Sequence, residues 1–177
     1  MNYALAMLWD AETESELRKV MEKQKTENKR DKFLSLNIPP HVTLINYKDP
    51  DLESLKAAVK DLAEGQPKIK LALSSSAVSM ELGHSYILPT ATAELLDFQK
   101  KAYERTKDLG FAGFERDYPG KFEAHCTLDT DTDLDVLCKN AELYAKNFVP
   151  RVATVEAIGI ILCERPSFDV VYRLELN

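Results

Sequence analysis

The apolar positions of this 177-residue chain recur with two different periods, which predict strands and helices in alternation. Short apolar runs such as residues 3–9 predict strands. Apolar residues spaced three and four apart, as over 12–27, predict amphipathic helices. The first part of the chain is predicted to contain strands at 3–9, 41–47, 68–80 and 84–89, with a turn near Gly83.

Polar residues mark where the helices are expected to begin. Thr13 and Glu16 match a capping box at the first helix. Asp49 is predicted to cap a second helix, because Pro50 suits the first helical position, where no amide proton is needed. The carboxylates of 129–135 are placed at a helix start too; they lack the glycine and glutamate that a calcium loop requires.

The second part of the chain repeats the order of the first. Helices are predicted at 92–109 and 133–147, and strands at 124–129, 151–162 and 168–176. Tyr3 precedes His41 by 38 positions and Tyr86 precedes His125 by 39. These spacings predict one domain built from two similar halves, about 1–83 and 84–177, whose equivalent elements approach each other around an approximate twofold axis.

Composition and charge narrow the possible functions. The formal net charge is −6, which disfavours an extended nucleic-acid surface, because nonspecific affinity for nucleic acids comes mainly from cation contacts to phosphates. The three cysteines form no closely spaced pair, which disfavours a disulfide framework or a thiolate zinc site. The N-terminal segment resembles neither a signal peptide nor a membrane span, so we expect a cytoplasmic monomer without a membrane partner.

Two short phrases carry the candidate chemistry, "PHVTL" at 40–44 and "AHCTL" at 124–128. Side chains two apart on a strand share a face, so His41 and Thr43 are expected to point one way, and His125 and Thr127 to do the same. The residues between and after them point back toward the helices. Each motif is therefore predicted to be a polar pair on a rigid strand that is apolar behind.

Two imidazoles that face one groove can act as a general base and a general acid near neutral pH. Threonine hydroxyls beside them can donate hydrogen bonds to the oxygens of a phosphate. This arrangement suits cleavage of a phosphodiester, and no cofactor or metal is expected. The third histidine, His84, is interpreted as structural, because it lies by a turn and no threonine follows it at the same spacing.

A few other polar and aromatic residues are candidates for contacts with a phosphate or a base. The segment 110–121 precedes the second motif, and its glycine spacing does not match a phosphate-cradling P-loop. Arg116, Tyr118 and Lys121 in this segment could contact phosphate or stack on a base, and surface decoration is the alternative. Tyr86 is a candidate for contact with a nucleobase.

Two H-x-T motifs, one in each half of a chain of this size, resemble the 2H phosphoesterase superfamily, which includes the 2′,5′ RNA ligase-like proteins and the cyclic nucleotide phosphodiesterases. The resemblance implies an α+β, bilobal fold in which two antiparallel sheets form a central cleft with helices outside. It implies that His41 and His125 act as acid and base and that Thr43 and Thr127 bind phosphate.

The resemblance also implies the substrates, which are 2′,3′-cyclic nucleotides, cyclic ADP-ribose phosphate or 2′,5′-linked nucleotide ends. The sequence therefore predicts a phosphodiesterase whose partner is a small nucleotide or an RNA end. The alternative is a nucleotide-binding module that uses the same cleft without turnover. The presence of both histidines favours the enzyme.

Overall fold

The computed structural model describes residues 1–164 and 167–177 as one antiparallel sheet with helices packed against it. The strands are β1 (Asn2–Trp9), β2 (His41–Lys48), β3 (Ile69–Ser79), β4 (His84–Pro89), β5 (Cys126–Thr130), β6 (Arg151–Glu164) and β7 (Ser167–Glu175). The helices are α1 (Ala11–Glu27), α2 (Lys32–Ser35), α3 (Leu52–Ala63), α4 (Ala93–Thr106) and α5 (Leu134–Asn147), with a 3₁₀ turn at Glu115–Asp117.

The strand order is β2-β1-β6-β3-β4-β5, and β7 also pairs with β6. Strand β6 is long enough to pair with β1 along one edge, and with β3 and then β7 along the other. The predicted mixed α+β class with antiparallel strands is confirmed. The two expected sheets are two parts of one hydrogen-bonded sheet, because the pairing of β6 with β3 joins them.

The strand order reads the same when the two halves of the chain are exchanged. Strands β2, β1 and β6 at one end of the sheet correspond to β5, β4 and β3 at the other end. Each half of the chain therefore contributes its third strand, β3 or β6, next to the first strand of the other half. This is the order expected of a duplicated chain, and the duplication stays a prediction. The correspondence of Tyr3 with Tyr86 is wrong, because Thr43 pairs with Ala6 where Thr127 pairs with Tyr86. Strands β2 and β5 occupy the two ends of the order and nevertheless contact each other, because the sheet curves into a cleft.

The core lies between the sheet and the helices. Helix α3 buries Leu55, Val59 and Leu62 completely, and α1 buries Leu17 and Val20, as the spacing of apolar residues predicts. Strand β1 is buried on both faces from Tyr3 to Trp9, which explains its nearly continuous apolar sequence. Among the described residues, no helix is long and apolar enough to cross a bilayer.

The helix starts differ from the prediction. Helix α1 is capped by Asp10, whose carboxylate accepts from the amide of Thr13 at 2.8 Å, so Thr13 lies in the first turn and is not the cap. Helix α3 begins at Leu52, after Asp51. Asp49 has a positive φ of 47° and its carboxylate binds the N-terminal amine, which places it outside the helix.

Other boundaries also shift. Helix α4 ends at Thr106, three residues earlier than predicted. Two leucines of the helices, Leu96 of α4 and Leu134 of α5, are exposed. Strand β5 begins at Cys126, so His125 lies immediately before it. The short helix α2 was not predicted, since four residues show no periodicity.

The hairpin between β3 and β4 packs closely on the end of β5 through Gly83. This glycine has a φ of 62°, and a Cβ built on it would lie 2.4 Å from the carbonyl oxygen of Asp131. The Asp131 amide donates to the Gly83 carbonyl at 2.9 Å, and this hydrogen bond holds the two backbone segments in contact. Gly65 has a similar φ of 68° with nothing within 4 Å of its built Cβ.

Substitution by alanine should lower the free energy of unfolding by different amounts at these two glycines. Gly65→Ala should lower the free energy of unfolding by about 1 kcal/mol, the cost of a left-handed alanine. Gly83→Ala adds a backbone clash and should lower it by about 3 kcal/mol or more. Urea denaturation of both variants measures the difference. Equal losses would show that the hairpin does not pack tightly against the Asp131 backbone.

Candidate active site

The two H-x-T motifs face each other across the cleft. His41 is the first residue of β2, and His125 directly precedes β5, the strand at the other end of the sheet. A cavity of about 290 Å³ lies between them and is lined by both histidines and by Thr43 and Thr127. The structure thus brings together four predicted residues that are far apart in sequence.

A β-bulge changes the facing of residues inside the first motif. Strand β1 pairs Ala6 with Thr43 and Leu5 with Ile45, so Leu44 has no partner of its own. The extra residue shifts the alternation by one position. Asn46 therefore lies on the same face as Thr43 and lines the cavity.

The second motif contains the same bulge at the same place. Strand β4 pairs Tyr86 with Thr127 and Ser85 with Asp129, which leaves Leu128 unpaired. Thr130 is thereby turned to the cavity. Residues 41–46 and 125–130 share one burial pattern, in which the first, third and sixth residues are partly exposed and the others are buried.

Strict alternation along a strand could not identify Asn46 and Thr130 as cavity residues. Their common spacing of five after each histidine is the one signal that could have found them. Each half of the site therefore presents three polar side chains, which are a histidine, a threonine, and an asparagine or second threonine.

Each imidazole is held by the backbone two residues before it. Nδ1 of His41 lies 2.6 Å from the carbonyl oxygen of Pro39, and Nδ1 of His125 lies 2.7 Å from that of Glu123. A carbonyl oxygen only accepts, so Nδ1 carries the proton in both rings. Nε2 is then the nitrogen that remains for a ligand, as an acceptor when the ring is neutral and as a donor when it is protonated.

Burial lowers the pKa of both imidazoles. For His41 this effect outweighs the opposing influence of the Pro39 carbonyl, and His125 lowers the pKa further. For His125, burial outweighs the Glu123 carbonyl, and Arg116 also lowers the pKa. Both rings are therefore mainly uncharged near pH 7, and a bound anion would raise their pKa values again.

The third histidine also lies in the cavity, contrary to the interpretation from the sequence. The centroid of the His84 ring is 6.2 Å from that of His125, and His84 Nδ1 is 3.5 Å from Oγ1 of Thr127. Burial, with the neighbouring His125, lowers the pKa of His84 to about 4. The sequence did contain a signal that His84 could face the site, because it is two positions from the candidate Tyr86 on β4 and shares its face.

The predicted contact residues are distributed unevenly. Arg116 lines the cavity, and Tyr86 packs its ring 5.2 Å from that of His125 while remaining largely buried. Tyr118 does not reach the cavity, because its ring packs against Tyr103 and Phe111. Lys121 is exposed outside the cavity and pairs with Glu115 on the surface.

The cavity combines positive charge with an apolar wall. Within residues 1–164 and 167–177, no carboxylate forms a salt bridge with Lys32 or Arg116, both of which line it. Two carboxylates, Asp117 and Glu123, also line it. Asp117 is buried and accepts from the Asn46 amide and side chain at 2.8 and 2.9 Å. The apolar wall consists of Phe33, Leu36, Ile38, Phe122 and Phe168.

Part of this wall is held in place by an ion pair whose carboxylate is buried. Arg30, just before α2, donates to Asp129 at 2.9 Å and to the Thr130 carbonyl at 3.0 Å, and forms a salt bridge with Asp131. Asp129 is fully buried and also accepts from Asn140 at 2.9 Å. The segment that leads to the first motif is thereby fixed to the strand of the second.

The described residues contain no group of three or more histidine, cysteine or acidic side chains arranged to hold a metal ion. The polar groups that line the cavity are imidazoles, hydroxyls, an amide, two cations and the carboxylates of Asp117 and Glu123. This set can bind an anion, donate hydrogen bonds to its oxygens and exchange protons with it.

The chain is similar to several proteins of known structure. The crystal structure of a phosphoesterase is 16% identical, with a TM-score of 0.65, and the match covers 99% of this chain and 98% of that one. E. coli LigT complexed with 3′-AMP is 16% identical, with a TM-score of 0.64 and the same coverage. TT0787 of Thermus thermophilus is 18% identical, with a TM-score of 0.65 and the same coverage.

These structures share the fold with this chain. No curated protein sequence matches it significantly. The sequence profile of the 2′-5′ RNA ligase superfamily, however, matches residues 12–165, which include both motif strands and most of the sheet. The chain belongs to the 2′-5′ RNA ligase superfamily.

Proposed function

We propose that this protein is a metal-independent phosphodiesterase that hydrolyses a small cyclic phosphate or a 2′,5′-linked nucleotide end. The cyclic substrate would be a 2′,3′-cyclic nucleotide or cyclic ADP-ribose phosphate. The observation that carries the proposal is the matched pair of imidazoles, each with Nδ1 bound to a backbone carbonyl and Nε2 left for a ligand. Both line one cavity, so one phosphate can meet both.

The reaction requires one proton to be taken up and one to be released. Nε2 of one histidine accepts a proton from water, whose oxygen attacks phosphorus. The opposite P–O bond breaks, and Nε2–H of the second histidine protonates the departing oxygen. The near-equivalent surroundings of His41 and His125 allow either ring to serve as base.

The remaining polar groups of the cavity stabilise the charge on phosphate. The hydroxyls of Thr43 and Thr127 donate to its non-bridging oxygens, and Lys32 and Arg116, which line the cavity, supply positive charge. Binding of the anion raises the pKa of the nearby imidazoles, so that one of them can be protonated in the complex.

The size and the wall of the cavity favour a small ligand. Its volume of about 290 Å³ lies near the lower end of the range of ligand pockets, about 300–1,000 Å³. An apolar wall beside a phosphate site fits a nucleoside better than a sugar phosphate alone. Crystal structures of E. coli LigT with 3′-AMP, ATP and NADP+ support a nucleotide as the ligand of this fold.

Removal of either histidine should abolish most of the activity. His41→Ala and His125→Ala should each lower kcat by about 10²–10⁴, since each removes one partner of the proton transfer. The assay is hydrolysis of 2′,3′-cyclic AMP, cyclic ADP-ribose phosphate and a 2′,5′-linked diadenosine in EDTA. Lys121→Ala, which changes a lysine outside the cavity, should retain full activity.

The outcomes of this assay separate the enzyme from its alternative. Turnover that survives in both histidine variants, or that requires added metal, would contradict the mechanism. Tight binding of nucleotides by the wild-type protein without turnover of any probe would identify a binding module instead.

The pH dependence should reflect the lowered pKa values. The base must be neutral, so kcat/KM falls as the pH drops through its pKa; the acid must be protonated, so kcat/KM falls as the pH rises through its pKa. Both values lie below 6.5 in the free protein, so the maximum of kcat/KM should lie below pH 6.5. A maximum above pH 7 would show that the imidazoles are not desolvated as described.

A further inference from the structure

The two halves of the site differ most at one position of the inner strands. On the side of the first motif, β1 pairs Ala4 with Asn46, and on the side of the second, β4 pairs His84 with Thr130. Asn46 and Thr130 occupy equivalent places after the two bulges, so Ala4 and His84 are equivalent as well. The second half of the cavity therefore contains an imidazole where the first half has a methyl group.

His84 is close enough to act on the second motif. Its Nδ1 lies 3.5 Å from Oγ1 of Thr127, a long contact of the kind that tightens when a ligand binds. Its ring is also 6.2 Å from that of His125 and lines the cavity. Among the hydrogen bonds of the described residues, the Thr43 hydroxyl has no comparable partner.

The protonation state of His84 decides the direction of this contact. Its pKa is lowered to about 4 by burial, by His125 when that ring is protonated, and by the cations Arg116 and Lys32. The ring is therefore neutral near pH 7 and has a single N–H. The Thr127 hydroxyl has one proton. When that proton is donated to a phosphate, the hydroxyl cannot also donate to His84, so a hydrogen bond between them requires the imidazole to donate and Oγ1 to accept.

We propose that His84 is a positioning residue that donates from Nδ1–H to Oγ1 of Thr127 and so directs the threonine proton toward a phosphate oxygen. This inference rests on the proposed function of the cavity. The contact makes the two half-sites unequal. The Thr127 hydroxyl is then oriented by an imidazole, and the Thr43 hydroxyl has no such partner among the described residues.

Two size-matched substitutions test which nitrogen matters. The amide nitrogen of His84→Asn lies near the place of Nδ1, whereas that of His84→Gln lies near the place of Nε2. His84→Asn should retain kcat within about twofold of the wild type. His84→Gln and His84→Ala should lower kcat about 5- to 30-fold with little change in KM, as expected for the loss of one hydrogen bond that supports phosphate binding in the transition state.

A second mutation shows whether His84 acts through Thr127. In a Thr127→Ala background, His84→Ala should cause no further loss, because the hydroxyl that it orients is absent. An unchanged loss in that background would overturn the proposal, as would full activity of His84→Gln with loss in His84→Asn. Urea denaturation of each variant verifies that the fold is intact.

A readout without turnover keeps this proposal separate from the proposed function. The ¹⁵N shifts of the three imidazoles, recorded with and without inorganic phosphate, report which nitrogen of His84 carries the proton. We expect a neutral Nδ1–H ring between pH 5 and pH 8 in the presence of phosphate. An Nε2–H ring would overturn the inference even if the enzyme is active, and an Nδ1–H ring would support it even if none of the probes is hydrolysed.

Discussion

The site depends on one backbone constraint, the single-residue bulge that each motif strand carries at its leucine. A regular strand turns alternate residues to opposite faces, so it cannot place its first, third and sixth residues on one face. The bulges at Leu44 and Leu128 bring these three residues of each motif to one face, while Val42 and Cys126 remain buried behind the motifs. Ordinary alternation gives each motif its polar front and apolar backing. The bulge adds Asn46 and Thr130 to the polar face.

The imidazoles inherit their geometry from the segments that enter these strands. Each entering segment contains a residue, Pro39 or Glu123, whose carbonyl oxygen accepts from Nδ1 of the following histidine. This hydrogen bond fixes the tautomer before any ligand binds. On the first side the entering segment follows α2, and Arg30 fixes it to the carboxylate of Asp129 beside the second motif. Preorganisation of one half of the site therefore depends on an ion pair with a buried carboxylate of the other half.

Much of the fold could be predicted from the sequence, because all seven strands and the four longer helices follow from the periodicity of apolar residues. The caps at Asp10 and Asp51 could not, since several neighbouring acceptors fit a helix start equally well. The site was predicted in part. Asn46 and Thr130 were missed because they depend on bulges that break the alternation. His84 was missed because its shared face with Tyr86 does not by itself show that β4 pairs with the second motif strand.

The central claim is that the two motifs form a single phosphate site. A crystal structure of the protein with bound inorganic phosphate tests it most directly. One phosphate should lie between the motifs, within hydrogen-bond distance of Nε2 of both His41 and His125 and of the hydroxyls of Thr43 and Thr127. A phosphate that contacts only one motif, or that binds Lys32 or Arg116 alone, would contradict the account.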